Sequence, residues 1–471
     1  MQRIEARPTA ALSYNPNEPA YWDAAKLATE VERVFDICHG CRLCFNLCPS
    51  FPELFKAVDA RGDDVRNLTA GERQRVLDLC YECKLCEVKC PYTPRDKHEF
   101  QLDFPALVLR SRAVAARAGG LKLREKLLGD PDRTGRMGSK VPALANWSCR
   151  NAIQRRVMEK LLGIHRDKQL PEFAGETFEK WIARVGLPPA PAAPAARVAI
   201  FHTCFVNYYN PAPGQALVKV LEQNQCAIAS PAQNCCGMPA LDGGDVAFAQ
   251  KQARANVATL IPLVREGYKV AAINPTCSLT MRREYPTLLG TPAARELAAA
   301  VVDPGELLDT IRRAGRFNLD FRSAPDTVAY HVPCHLKAQA IGLRSRDLMR
   351  RIPGVTVTTV DACTAHDGTW AMKKEYFELS MKWGEKAFDG MRAAAADLMT
   401  TDCPLAAIQI HQATGTMPLN PIEVIARAYQ PDGFARRIEP APAEPAANAA
   451  PAASHEPGTA PSGAPAEEEK S

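Results

Sequence analysis

Apolar side chains recur at helical spacing just ahead of the first cysteine. Trp22, Ala25, Leu27, Val31, Val34 and Phe35 predict an amphipathic helix over 22–35. A further helical stretch is predicted at 70–79, and another at 104–117, where Pro105 suits a first turn. From 197 onward the pattern changes. Short β-rich runs, such as Val198-Ala-Ile-Phe and Val328-Ala-Tyr-His-Val, alternate with helical periods such as 253–264, apolar at 253, 257, 260, 261 and 264. The chain therefore reads as an α+β multidomain protein, with a mostly α-helical N-terminal part and an α/β C-terminal part.

That C-terminal part repeats itself. One copy contains Val198-Ala-Ile-Phe-His-Thr-Cys204, the pair Cys235-Cys236 and Ala271-Ala-Ile-Asn-Pro-Thr-Cys277. The other contains Val328-Ala-Tyr-His-Val-Pro-Cys334, Cys363 followed by Thr364, and Leu398-Met-Thr-Thr-Asp-Cys403. In each, the first and last cysteines follow β-rich runs, which places them at carboxyl ends of strands, where open α/β sheets gather ligand-binding groups. The organisation expected is a ferredoxin-type domain at 22–100, a basic helical connector at 101–186, a Pro/Ala linker at 187–196, one cysteine-rich repeat at 197–325 and a degenerate one at 326–430. An Ala/Pro/Glu tail at 438–471, nearly free of bulky apolar residues, is expected to be disordered.

Composition narrows the function. No stretch approaches the roughly 20 apolar residues of a membrane span, and residues 1–20 lack the pattern of a signal peptide. A cytoplasmic protein is expected, or one held peripherally at the inner face of the cell membrane. In that setting the 17 cysteines suggest metal ligands and not disulfides. The net charge of +5 gives no reason to expect nucleic acid. Residues 101–180, with 16 Lys and Arg against 9 Asp and Glu, form a local basic stretch suited to anionic lipid or an acidic partner, or to a plain solvated face. No phosphate-binding loop or dinucleotide fingerprint occurs, so no nucleotide or flavin is expected on this chain.

The decisive motif is Cys38-x2-Cys41-x2-Cys44-x3-Cys48-Pro49, repeated as Cys80-x2-Cys83-x2-Cys86-x3-Cys90-Pro91. Three thiolates so spaced wrap one [4Fe-4S] cluster, and the fourth reaches the neighbouring cluster. Cys38, Cys41, Cys44 and Cys90 are thus assigned to one cluster, and Cys80, Cys83, Cys86 and Cys48 to the other. Structural zinc is the competing reading, but four-cysteine zinc sites normally use two separated Cys-x2-Cys pairs. His39, between ligands, reads as a surface residue or a tuner of potential. Cys149 and Cys226 stand outside all patterns and are expected to be buried.

Further stretches carry a family resemblance: Phe35-Asp-Ile-Cys-His-Gly-Cys-Arg-Leu-Cys, Thr203-Cys-Phe-Val-Asn-Tyr, Cys235-Cys-Gly, Val332-Pro-Cys-His, Lys373-Lys-Glu and Thr401-Asp-Cys-Pro. They resemble the cysteine-rich domain of heterodisulfide reductase and, more closely, the iron-sulfur C subunits of anaerobic glycerol-3-phosphate dehydrogenases. The resemblance implies a third iron-sulfur cluster on Cys204, Cys235, Cys236 and Cys277. The second copy departs from the family pattern, with Thr364, Ala365 and Ala406 at positions of the motif, and no fourth cluster is expected there. Cys334, His335, Cys363, His366 and Cys403 could hold a mononuclear zinc or iron; alternatively the surviving cysteines are buried packing residues.

The function expected is a non-catalytic electron-transfer subunit. It would pass electrons from a flavoprotein dehydrogenase or another redox protein through two [4Fe-4S] clusters, and the resemblance implies quinone at a membrane surface as acceptor. The alternatives are a heterodisulfide reductase-like thiol/disulfide or small-substrate reductase working at a repeat-1 centre, and a redox or oxidative-stress partner protein.

Overall fold

The structure, a computed structural model, describes residues 4–366 and 368–439; the expected disordered tail beyond 439 lies outside them. The first helix runs Ala24–Cys41. Asp23 caps it by accepting from the backbone N–H groups of Ala25 and Lys26, and Arg42, in left-handed conformation, ends it. It is longer than its apolar period: the helix carries Cys38 and Cys41 on its last turn. Its buried residues, Val31, Val34 and Phe35, pack with Phe51, Leu54, Phe55 and Val58 of the helix Ser50–Asp59 and with Phe104, Leu107 and Val108 of Phe104–Gly119. Thr69 and Glu72 close a capping box on the helix Ala70–Asp78. A buried Glu30–Arg33 pair, 2.6 Å apart, extends outward as Arg33 donates to the carbonyls of Ala6 and Phe100.

The connector is helical through Leu123–Gly129, Pro131–Gly138, Pro142–Arg150 and Ala152–Leu162. It is no loose tether. His165 donates its backbone N–H to Met372, Lys374 donates to Gly163, and buried Arg155 gathers the carbonyls of His165, Arg166 and Lys168.

Each cysteine-rich copy is built on a parallel sheet. The first contains β1 (Arg197–Phe201), β2 (Ala227–Ala229), β3 (Lys269–Ala272) and β4 (Val301–Val302) in the order β2-β1-β3-β4. A short antiparallel pair joins β5 (Ser323–Ala324) to the closing strand β9 (Arg436–Arg437). The second copy contains β6 (Thr327–His331), β7 (Thr356–Val360) and β8 (Leu398–Thr401) in the order β7-β6-β8. The runs Val198–Phe201 and Val328–His331 are buried on both faces, as helix-covered parallel strands require. One apolar core crosses both copies, linking Val198 and Ile200 to Val328 and Tyr330 through the helices Ala212–Gln223, Pro304–Arg313 and Pro421–Ala428.

Candidate functional site

The ferredoxin-type cysteines gather around two cavities. Cys38, Cys41, Cys44 and Cys90 line one, with Ile37, Leu43, Phe51, Phe55, Tyr92 and Leu102; Cys48, Cys80, Cys83 and Cys86 line the other, with Leu47, Tyr81 and Phe104. Between the cysteines, Arg42, Glu82 and Lys84 all have positive φ, the tight turning needed to aim closely spaced side chains at one point. Burial pushes Cys44 and Cys48 up to about 12, so a set of thiolates here requires a multivalent cation as countercharge. Four soft thiol donors in an apolar surround fit an iron-sulfur cluster. The two cavities adjoin, since the Cys44 thiol lies 3.9 Å from the carbonyl oxygen of Cys86. His39 sits outside them, 2.8 Å from Asp59 and beside the Arg42 guanidinium, which pairs with the same carboxylate.

In the first copy, Cys204 follows β1, Cys277 follows β3, and Cys235-Cys236 precede the helix Met238–Asp242. The Cys236 thiol is held well below the usual thiol range by hydrogen bonds from Cys235 and Cys277, and Cys235 also touches Cys204. All four cysteines are thus brought together. Their backbone is pinned: Asp132 accepts from the Cys235 N–H at 2.6 Å, Asn256 donates to the Cys235 carbonyl, and Tyr285 donates to that of Cys236 at 3.0 Å. Gly237 has φ +89°, and a Cβ there would lie 3.2 Å from the Ala249 carbonyl oxygen. Thr203, immediately before Cys204, is a β-branched residue at φ 72°, a conformation retained only where the surroundings impose it. Asp132 gave no signal in the sequence, because it lies on the connector.

The second copy is not a dismantled one. Cys334, Cys363 and Cys403 line a common cavity with His331, His335 and His366. All three cysteines are half-buried, and Cys334 and Cys363 pack against the apolar core that surrounds the ferredoxin-type cysteines. Ala365 keeps φ 53° at the position aligned with Gly237, preserving the turn without the glycine. The Cys363 thiol, like that of Cys236, is held well below its ordinary value, by hydrogen bonds from Cys334 and Cys83. Cys83 belongs to the second ferredoxin-type set, so the two cavities touch.

His335, expected among the metal ligands, has both ring nitrogens engaged within the protein. Its Nε2 meets the Glu82 carbonyl oxygen at 2.8 Å and its Nδ1 meets the Thr276 hydroxyl at 2.9 Å, which occupies both ring nitrogens. It bridges the second ferredoxin-type loop to the residue preceding Cys277.

A larger chamber, about 340 Å³, opens from the first-copy cysteines. Cys204, Cys235, Cys236 and Cys277 form one end; Leu127, Leu128, Met158, Leu162, Ile164 and Phe173 of the connector region line the rest. Cys149 also lines it and is half-buried, so the expectation of burial fails for this residue, whereas Cys226 is buried.

Residues 198–282 and 328–411 match the family model described as a cysteine-rich domain, and residues 22–94 match that of a 4Fe-4S dicluster domain. The chain is 31% identical over 318 residues to the C subunit of anaerobic glycerol-3-phosphate dehydrogenase from Escherichia coli (strain K12), a match covering 65% of this chain and 77% of that one. It belongs to the family of these C subunits. It is also similar to the B subunit of fumarate reductase (CoM/CoB) from Methanothermobacter marburgensis, 26% identical over 254 residues, or 51% of this chain and 48% of that protein. Lactate utilization protein A of Geobacillus thermodenitrificans is 26% identical over 218 residues, 44% of this chain and 87% of its own. Members of this C-subunit family are iron-sulfur proteins of electron transport, and this chain is one. Among the described residues, no helix is long and apolar enough to cross a membrane.

Proposed function

We propose that the chain is the electron-transfer subunit of an oxidoreductase complex, taking electrons from a flavoprotein dehydrogenase or another redox protein and delivering them to quinone at a membrane surface. Cys38, Cys41, Cys44 and Cys90 would hold one [4Fe-4S] cluster, Cys48, Cys80, Cys83 and Cys86 a second, and Cys204, Cys235, Cys236 and Cys277 a third. When bound, such clusters supply one-electron transfer without bond changes in a substrate. The residues around them hold the cysteines rigid and exclude water.

The observation that carries the quinone reading is the apolar chamber against the first-copy cysteines. The four cysteines at one end would hold the third cluster, and the apolar lining beyond them suits a ring with an isoprenoid chain, since small-molecule sites are concave and mostly apolar. The connector helices that wall it turn an apolar stripe outward. Ile153, Val157 and Leu161 follow one another at intervals of four on Ala152–Leu162 and are all exposed, as are Leu144 and Trp147 on the preceding helix. Arg150, Arg156 and Lys160 flank the stripe. An apolar helix face bordered by basic residues suits insertion at the interface of an anionic bilayer, where quinone resides.

The test uses anaerobically prepared, dithionite-reduced full chain mixed with a short-chain quinone. Rapid reoxidation is expected, slowed at least tenfold by Leu162→Trp, which fills the chamber, while reoxidation by ferricyanide stays unchanged. Equal rates for Leu162→Trp and wild type would place the quinone elsewhere. Flotation with phosphatidylglycerol vesicles should be lost when Ile153, Val157 and Leu161 are all changed to Ser.

A further inference from the structure

Three histidines border the cavity of the second copy, and two are committed. His331 meets the Thr401 hydroxyl and the Ala362 carbonyl oxygen, both at 3.0 Å. His335 is engaged at both nitrogens by Glu82 and Thr276. His366 is different: it is 3% exposed, yet neither ring nitrogen has a hydrogen-bond partner among the described residues. A buried imidazole left so is costly unless something else in the cavity binds it. It borders the same space as Cys334, Cys363 and Cys403.

We infer that Cys334, Cys363, Cys403 and His366 hold an iron-sulfur cluster ligated by three thiolates and one imidazole, a site additional to those proposed above. Two observations fit a cluster. The cavity measures about 20 Å³, matching the one inside Cys38, Cys41, Cys44 and Cys90. The donor set is soft thiolate with imidazole, which iron-sulfur centres accept; structural zinc takes the same set, and the metal and sulfide analysis below separates the two.

Location gives the site its role. The Cys363 thiol contacts that of Cys83 on one side, and on the other Thr276, beside Cys277, lines the same cavity. The site therefore stands between the second ferredoxin-type site and the first-copy site. One electron enters from the former and one leaves to the latter, so no proton or additional reactant is needed. Exchanging a thiolate for a neutral imidazole removes one negative charge from the centre, which raises its potential relative to an all-cysteine cluster.

The experiment is pulsed EPR on the full chain, purified anaerobically from cells fed 15N-histidine, together with iron, zinc and sulfide analysis. Wild type is expected to show a histidine nitrogen coupled to one reduced cluster, and about four irons more than Cys334→Ser/Cys403→Ser. His366→Cys should keep that iron and lose the nitrogen coupling, while Cys235→Ser should leave the coupling in place. Absence of nitrogen coupling in wild type overturns the inference without reliance on any variant folding. So does one zinc per chain, or an iron content unchanged in the double serine variant. Failure of the quinone assay with the nitrogen-coupled signal intact would strike the proposed acceptor and leave this site standing.

Discussion

Lys168 is 2% exposed, and its ammonium nitrogen reaches the side-chain oxygen of Gln409. Burial holds its pKa down to about 7, from 10.5 in an unfolded chain. Above pH 10.5 the lysine is neutral in both states and costs nothing. As pH falls from 10.5 towards 7, the unfolded chain takes up a proton that the folded protein resists, and stability is lost. Below 7 the loss is complete: about 3.5 pH units at about 1.36 kcal/mol each comes to about 5 kcal/mol. Lys168→Met removes that penalty but leaves Gln409 short of a donor, a cost of about 1–3 kcal/mol that does not vary with pH. The advantage of the variant over wild type should therefore shrink by about 3 kcal/mol between pH 7 and pH 9.5.

With an unfolding entropy of roughly 2.1 cal/mol/K per residue, about 0.9 kcal/mol/K for this body, that change corresponds to about 3 °C in thermal midpoint. Anaerobic differential scanning calorimetry of both proteins at both pH values measures it. An advantage that stays constant or grows towards pH 9.5 would refute the reasoning. The residue matters because Gln409 donates to Ser380 at 2.8 Å and Ser380 to the Ala365 carbonyl at 2.7 Å, so Lys168 anchors the loop that carries His366.

Two further outcomes follow from the cysteine sets. Gly237→Ala places a Cβ against the Ala249 backbone at positive φ, costing about 1–2 kcal/mol at the paired cysteines; iron analysis should show about four irons lost, with the ferredoxin-type EPR signals retained. Cys48→Ser should perturb the signal of the cluster assigned to Cys80, Cys83 and Cys86 and spare that of Cys38, Cys41 and Cys44; the opposite result would reverse the exchange of fourth ligands.

Much of the fold was legible in local pattern. Runs such as Val198–Phe201 are apolar at consecutive positions because helices cover both faces, and the cysteines after them mark strand ends. What pattern could not supply was tertiary. The basic connector was legible as helical, but not that Ala152–Leu162 turns an apolar stripe outward. Alignment by cysteine spacing makes the second copy look depleted, since the fourth donor proposed for it, His366, comes from a position where the first copy has none. His335 has the chemistry of a ligand, and only the fold shows that both its ring nitrogens meet Glu82 and Thr276. Cys149 and Asp132 reach the first-copy site from the connector, far away in sequence.

The same contacts explain why the ferredoxin-type domain is docked by charge as well as by apolar packing. Lys84 meets Glu284 at 3.0 Å and Glu87 meets Arg283 at 2.6 Å, so residues interleaved with the ligands of one site grip the helical segment Thr280–Glu284 that follows Cys277. Replacing such pairs by apolar residues often leaves stability unchanged or improved, so bulk stability is a weak reason for their presence. Register is a better one. An apolar contact tolerates sliding by a fraction of a side chain, whereas two ion pairs of opposite sense, together with the His335 bridge from Glu82 to Thr276, fix one relative placement. Electron transfer between buried centres falls off steeply with distance, and a chain that must keep several of them in line gains from contacts that have a single solution.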